Sequence, residues 1–234
     1  MEIKRYWEDI DVRLEKLIET GSVKLPSISQ FDLEILVNNI SNEMGANTFS
    51  ELCLSHKLFL EKLGIQEYLA PKLLAIAKNH LGFEGKLSNQ YHIARKVAPG
   101  NSKEMYRAHF DSHLFTMVLP IQIPTSIAGT AGELIYFPKS RKAPKSEISN
   151  FVDKAYHKRF ASKDGIKKFA YNHTQMTENF IDFEPLIFIG NTTLHTNKPV
   201  SLDCSSFRLT LLAHFFDPSP KYGVGNILRQ LRAR

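Results

Sequence analysis

The chain has 234 residues, 43% of them hydrophobic and 23% charged, with a formal net charge of +6. That size suits one domain, or one core with an appendage, and the composition excludes wholesale disorder, a collagen-like repeat and a coiled-coil rod. No apolar run approaches the roughly 18–20 residues that a bilayer span needs. The segment Met1–Asp9 is too charged for a secretion signal, and two cysteines cannot build a disulfide framework or a four-cysteine zinc site. The expectation is a soluble cytoplasmic protein that meets no membrane.

The first 85 residues read as helices. Ile3, Trp7, Ile10, Leu14, Leu17 and Ile18 recur every three or four positions, the spacing of one helical stripe, and Gly21 is a natural stop. A second helix is predicted from near Ser29 through Leu33, Leu36, Val37 and Ile40, ending at Gly45. Thr48-Phe49-Ser50-Glu51 fits a capping box that would open a third helix running to Leu63-Gly64. A fourth spans Leu69–Leu81, with Pro71 tolerated in its first turn and Gly82 as its stop.

From about residue 90 the pattern changes to short β-rich runs broken by Pro and Gly. Strands are predicted over 91–97, 106–110, 114–123, 133–137, 180–183, 185–189, 192–195 and 207–216. So many short strands suggest a sandwich or barrel, mainly β with α, with a helical N-terminal layer over 1–85, a β core over 86–220 and a tail over 221–234. Segment 139–170 interrupts the strands with a helix predicted over 147–160. It holds ten Lys/Arg against three Asp/Glu, a net of +7, so the rest of the chain is close to neutral. Such a patch is either a solvated helix face or a surface for something anionic. No nucleic-acid motif accompanies it, which makes nucleic acid an unlikely partner. Phe151, Ala155 and Tyr156 fall on one side of this helix and Lys154 and Lys158 on another, so its apolar side is expected to face the barrel.

His109-Phe110-Asp111 carries chemistry if it lies on a strand. Residues i and i+2 then share a face, so an imidazole and a carboxylate are presented together, two-thirds of a facial metal site. Chance alone would supply one such pair in this composition, so its context has to decide. Tyr106-Arg107-Ala108-His109-Phe110-Asp111 resembles the Tyr-x-x-His-x-Asp stretch of prolyl-hydroxylase-like Fe(II)/2-oxoglutarate dioxygenases. Ser112–Leu119 is similar to the apolar, Thr-containing strand that follows it, and Gly132–Pro138 to the Gly-x-Leu strand. His195-Thr196-Asn197-Lys198-Pro199-Val200 resembles the second-histidine segment, and Arg208-Leu209-Thr210-Leu211 the opening of the last core strand. The elements come in the family's order, with 84 residues from Asp111 to His195 and 13 from there to Arg208. The resemblance covers residues 90–217 and leaves out the helical N-terminus.

That resemblance implies a double-stranded β-helix, or jelly roll, with Fe(II) held by His109, Asp111 and His195. It implies 2-oxoglutarate as cosubstrate, its distal carboxylate gripped by Arg208 with hydroxyls from Thr210 and Tyr106, and dioxygen as oxidant. The expected activity is hydroxylation of an unactivated C–H bond in a small or carrier-borne substrate, anionic ones included. Asp111 argues against halogenation, for which related enzymes carry a small residue at that place. Two other readings stand beside it: an inactive jelly-roll binding module, and a binder of anionic polymer through segment 139–170. Of the remaining histidines, His113 shares the face of His109 and Asp111 if the strand is regular, and His214 reads as a core histidine. His56, His80, His92, His157 and His173 read as surface residues, Cys53 as helix core and Cys204 as part of a loop.

Overall fold

The computed structural model describes residues 3–218 apart from 52, 103, 104 and 145, so the expected tail lies outside the described residues. The first predicted helix is split in two, α1 (Ile3–Tyr6) and α2 (Ile10–Thr20). At the break the buried Trp7 indole Nε1 donates to the Leu63 carbonyl at 2.8 Å, tying the turn to a distant loop. Gly21, at φ 85°, ends α2 in the left-handed region that glycine enters without strain. It leads into a short strand the pattern did not announce, β1 (Ser22–Lys24). Helix α3 (Leu33–Met44) follows, capped by the Asp32 side chain.

The capping box expected at Thr48–Glu51 does not form. Phe49–Ser50 is instead strand β2, paired with Ala94 and Arg95. Helix α4 (Leu54–Lys62) begins later, and the Glu43 carboxylate at the end of α3 accepts its first amides, from Leu54 at 2.5 Å and Ser55 at 3.0 Å. A π-helical turn (Ile65–Leu69) leads into α5 (Ala70–Leu81), where Pro71 sits in the first turn as expected.

The strands are β3 (Gln90–Val97), β4 (Phe115–Gln122), β5 (Leu134–Phe137), β6 (Met176–Glu178), β7 (Leu186–Ile189), β8 (Leu194–Asn197) and β9 (Arg208–Phe215). They make a six-stranded antiparallel sheet, order β1-β7-β4-β9-β3-β2, and a three-stranded one, β6-β5-β8. Two predicted strands are absent. Residues 106–110 make only an isolated bridge, at His109, and Tyr106 takes φ 51°, outside the extended region. Residues 180–183 form a turn, with Phe180 and Phe183 both at positive φ.

Alternation sorts the large sheet into two faces. Phe115, Met117, Leu119, Leu209, Leu211, Ala213 and Phe215 join one core with Leu14, Leu17, Ile40, Leu60 and Leu73 of the helices. Val118, Leu186 and Phe188 point the other way and meet Leu134, Tyr136 and Phe180 between the sheets. The outer face of the small sheet, Ile135, Phe137 and Leu194, is covered by Ile166 and Phe169 of α7 (Lys163–Ala170).

The basic insertion is helical as expected, with α6 over Glu147–His157, a 3-10 turn over Lys158–Phe160, and α7. The orientation of α6 is opposite to the expectation. Phe151 and Tyr156 face solvent, whereas Lys154 turns inward and donates to the Ser112 hydroxyl at 2.9 Å. Four histidines, His56, His92, His157 and His173, also depart from the surface reading, His157 by packing on Phe110 and Phe169. His56 is fully buried on the face of α4 that carries Phe59 and Leu60, next to the His92 ring at 6.2 Å. His173 stacks on Phe169 at 4.0 Å. Both cysteines are unpaired; Cys53 is buried at the start of α4, and the Cys204 thiol faces the Thr130 carbonyl.

Candidate metal centre

One backbone bridge brings the two key histidines together. His109 and His195 exchange both N–H···O bonds at 3.1 Å, the hydrogen-bonded pair of an antiparallel ladder. Directly opposed residues project to the same side, and the two rings lie 4.3 Å apart. Two residues on, the Asp111 amide donates to the Gly190 carbonyl, so the carboxylate joins the same side. A regular strand at 106–110 is therefore unnecessary; the single bridge suffices.

Each imidazole is turned by its other nitrogen. His109 Nδ1 donates to the Arg107 carbonyl at 2.7 Å, and His195 Nδ1 to the Thr193 carbonyl at 3.2 Å. A carbonyl can only accept, so the proton sits on Nδ1 and each Nε2 is left with a lone pair. These lone pairs face one carboxylate: His109 Nε2 is 3.5 Å from Asp111 Oδ1, and His195 Nε2 is 3.6 Å from Oδ2. One donor atom from each of the three lies within 4.8 Å of the others. Adjacent ligands on an octahedron with bonds of about 2.1 Å are about 3 Å apart, so a small inward adjustment fits a divalent ion. The His195 and Asp111 side chains are each 10% exposed while the His109 side chain is 49% exposed, which marks the open side. Burial pulls His195 down to about 4 against the opposing pull of Asp111, so it stays neutral and able to ligate. Burial would raise the Asp111 carboxyl, but His195, His109 and His214 hold it well below the usual carboxylate range.

Thr116 and His214 sit beside this trio and were not singled out as partners by the sequence. The Thr116 hydroxyl donates to Asp111 Oδ2 at 2.5 Å and lies 3.0 Å from His214 Nδ1. Their common clue is strand alternation, since Thr116 opposes His214 across the β4–β9 ladder on the inner face. His113 is one ring further out, stacked on His214 at 5.1 Å, with Tyr91 beside both. Gly190 makes room for the cluster. A Cβ there would lie 2.8 Å from Thr116 Oγ1 and 3.1 Å from the Asp111 Cβ.

Arg208 and Thr210 lie two residues apart on the same inner face of β9. Arg208 is buried, and its Nη1 donates to the Asn197 side chain at 3.1 Å. Among the described residues no carboxylate stands within ion-pair distance of it. Burial and the neighbouring Arg95 lower it to about 9, and Glu133 opposes them. A buried guanidinium answered by one neutral amide and the Phe180 ring, 5.8 Å away, has capacity left for an anion. Gly132, at φ 81°, packs against its Cδ, where a Cβ would come within 2.9 Å. Thr210 is buried beside Arg95, its neighbour across the β3–β9 ladder. Tyr106 is linked to the same corner through its amide, which donates to the Asn197 carbonyl at 2.9 Å. Burial, and then Glu133, raise its phenol. No hydrogen bond joins the Tyr106 hydroxyl to Arg208 or Thr210 among the described residues.

No family model matches the sequence, and no curated protein matches it either. Solved structures do. The non-heme alpha-ketoglutarate-dependent carbocyclase SnoK from nogalamycin biosynthesis matches at TM-score 0.58, with 13% identity over 93% of this chain and 89% of that one. A prolyl 4-hydroxylase from Phytophthora capsici matches at 0.54, with 11% identity over 99% of this chain and 73% of that one. A prolyl-4-hydroxylase from Pseudomonas putida matches at 0.50, with 13% identity over 88% and 97%. The antiparallel two-sheet arrangement around His109, Asp111 and His195 is thus a fold shared with these solved structures.

Proposed function

We propose that the protein is an Fe(II)- and 2-oxoglutarate-dependent oxygenase that hydroxylates a C–H bond. The observation that carries this reading is the donor set: two imidazoles, each with Nδ1 committed to a carbonyl, turn Nε2 toward one carboxylate. His109, Asp111 and His195 are the iron ligands in this reading, and three positions remain for other groups. Bound iron would supply the oxidation of a substrate C–H bond by dioxygen, coupled to oxidative decarboxylation of 2-oxoglutarate to succinate.

The residues of this chain do the rest. Arg208 holds the distal carboxylate of 2-oxoglutarate, with Arg95 adding positive potential and Thr210 a hydroxyl beside it. Tyr106 closes that corner through Asn197. Thr116 keeps the Asp111 carboxylate oriented. The two sheets are read as a jelly roll, with the helices of residues 3–81 as a layer on its large sheet. Substrate, a small molecule or one borne on a carrier, approaches from the exposed side of His109. The unpaired Cys53 and Cys204 fit a reducing, cytoplasmic setting. A structural neighbour, the epimerase SnoN in complex with Fe3+, alpha-ketoglutarate and nogalamycin RO, supports the cofactor pair, and shares 13% identity with this chain.

The test is anaerobic titration of the protein with Fe(II), then 2-oxoglutarate. The expected result is one iron per chain and a visible charge-transfer band when the keto acid chelates it. On admitting oxygen, 2-oxoglutarate should turn over to succinate. An unaltered iron stoichiometry in both His109→Ala and His195→Ala would refute the ligand assignment.

A further inference from the structure

Helix α6 presents the wrong face to water. Ile148, Phe151, Val152 and Tyr156 recur with the spacing that normally marks the buried stripe of a surface helix. Here they are 76%, 65%, 58% and 53% exposed. The inversion is fixed by the other face. The Arg141 guanidinium donates to the Asn150 side chain at 2.9 Å and pairs with Asp153 at 3.4 Å. Lys154 donates to Ser112, and the His157 ring meets the edge of Phe110 at 4.9 Å. Polar groups thus anchor α6 to the protein, and its apolar row is held outward by design of the contacts rather than by looseness.

The charge around the row says what covers it. Segment 139–170 carries +7. Of its three acids, Glu147 opens α6, Asp153 is taken by Arg141, and Asp164 lies 3.6 Å from Lys167. Lys158 and Arg159 continue directly from α6, both exposed, and the Arg159 guanidinium stacks over the Tyr156 ring at 3.6 Å. A second copy of the chain would bring two such cationic segments together, and repulsion opposes that. An exposed apolar helix row bordered by cations and an aromatic ring is the make-up of a helix that lies in a lipid interface. No described helix is long and apolar enough to cross a membrane, so the contact would be one of lying on the surface.

We propose that α6 and the Lys158–Arg159 turn are a docking surface for an anionic lipid headgroup layer. Ile148, Phe151, Val152 and Tyr156 enter the acyl boundary, while Lys158 and Arg159 meet the phosphates and carboxylates. The inner face of α6 holds Ser112, next to Asp111, so the docked helix is also the one that abuts the metal-ligand segment.

The test is flotation of the full chain with vesicles of phosphatidylcholine alone or mixed with phosphatidylserine. Wild type should float with the mixed vesicles at low ionic strength, at least about tenfold more than with phosphatidylcholine, and less at high salt. Phe151→Glu/Val152→Glu and Lys158→Glu/Arg159→Glu should each lower that partition about tenfold or more, with unchanged circular dichroism and melting temperature, since the positions are exposed. Failure of wild type to float, or equal flotation of wild type and Phe151→Glu/Val152→Glu, would overturn the proposal. So would a solution dimer that Phe151→Glu/Val152→Glu dissolves, which would make the row a contact between copies. Binding to soluble polyglutamate as tight as to vesicles and indifferent to Phe151→Glu/Val152→Glu would reduce the surface to a charge patch, and would likewise overturn it.

Discussion

Thr116 donates its hydroxyl to Asp111 Oδ2 at 2.5 Å, and that hydroxyl oxygen lies 3.0 Å from His214 Nδ1. Asp111 is thereby held by a strand of the large sheet, although its own backbone belongs to an irregular loop. A carboxylate held this way offers a fixed oxygen to a metal, and loss of such outer partners costs about 10–100-fold in metal affinity. Thr116→Val is expected to weaken Fe(II) binding by roughly that factor. Thr116→Ser, which keeps the hydroxyl, should restore most of it. Anaerobic iron titration of the two variants is the check, and equal affinities would remove Thr116 from the metal's support.

Arg208 gives a prediction in which stability and ligand binding move in opposite directions. Its folded-state value, about 9, is depressed below the ordinary guanidinium range by burial and then by Arg95. An unfolded chain binds that proton more tightly, so at neutral pH the buried charge opposes folding, and the penalty is complete below about pH 9. Arg208→Met should therefore raise the melting temperature of the ligand-free protein, by roughly 2–4 °C for each kcal/mol recovered. The variant should also lose the stabilisation that wild type gains from added 2-oxoglutarate. Thermal melts with and without the keto acid test both halves. A destabilised variant that still responds to 2-oxoglutarate would contradict the assignment.

His56 and His92 form a buried pair with an acid-sensitive signature. Burial lowers both from 6.5 to about 4, and for His56 the neighbouring His92 and Lys57 add to this while Glu43 opposes. Neither ring nitrogen of His56 has a hydrogen-bond partner among the described residues. The unfolded chain takes up these protons near pH 6.5 and the folded one only near 4, so stability is whole above 6.5 and falls as the pH drops toward 4. Between pH 7 and 5 the loss is about 2 kcal/mol for one such histidine. His56→Phe should flatten that fall. Chemical denaturation at the two pH values decides it, and an unchanged slope would mean that His56 is not among the groups responsible.

Gly190 is the position where a single methyl group should do the most damage near the metal. The added Cβ of Gly190→Ala meets the Thr116 hydroxyl at 2.8 Å, the His113 carbonyl at 3.0 Å and the Asp111 Cβ at 3.1 Å. These neighbours are backbone or short buried side chains with no free end to swing away. The expected outcome is a lower melting temperature, by about 1–3 kcal/mol of overpacking, together with weaker Fe(II) binding. A variant with wild-type melting and iron affinity would show that the pocket yields more easily than its spacing implies.

The grouping of the proposed metal ligands was partly legible because some of its information is local. His109 and Asp111 need only their i, i+2 spacing, and His195 is announced by the Pro-Val that follows it. The mistaken strand over 106–110 shows the limit: the bridge to His195 is made with a partner 86 residues away. Helix α4 is similar, since the residue that caps it is Glu43, eleven positions before Leu54 and on another helix. Periodicity correctly divided α6 into two faces, yet it could not say which face meets the protein. Arg141, which sets that, lies outside the helix. The burial of His56 was readable in principle, because it shares its helical spacing with Phe59 and Leu60. Strand β1, three residues at a sheet edge, is too short to carry a pattern.

Strand β9 supplies the core with its odd-numbered residues and the inter-sheet face with its even-numbered ones, and it lies between β3 and β4. Its pairing with β3 joins Arg208 to Val97 across 111 positions of chain. Contacts so remote in sequence form late, after local helices and hairpins. The anion corner at Arg208 and the Thr116–His214 contact beside Asp111 therefore both depend on the register that β9 takes between β3 and β4. A slip of one residue in that register would exchange the two sets of side chains, seating Arg208 against the helices and Leu209 in the pocket. Iron captured by a correctly registered chain would then act as a proofreader of folding, retaining the molecules in which β9 has found its place.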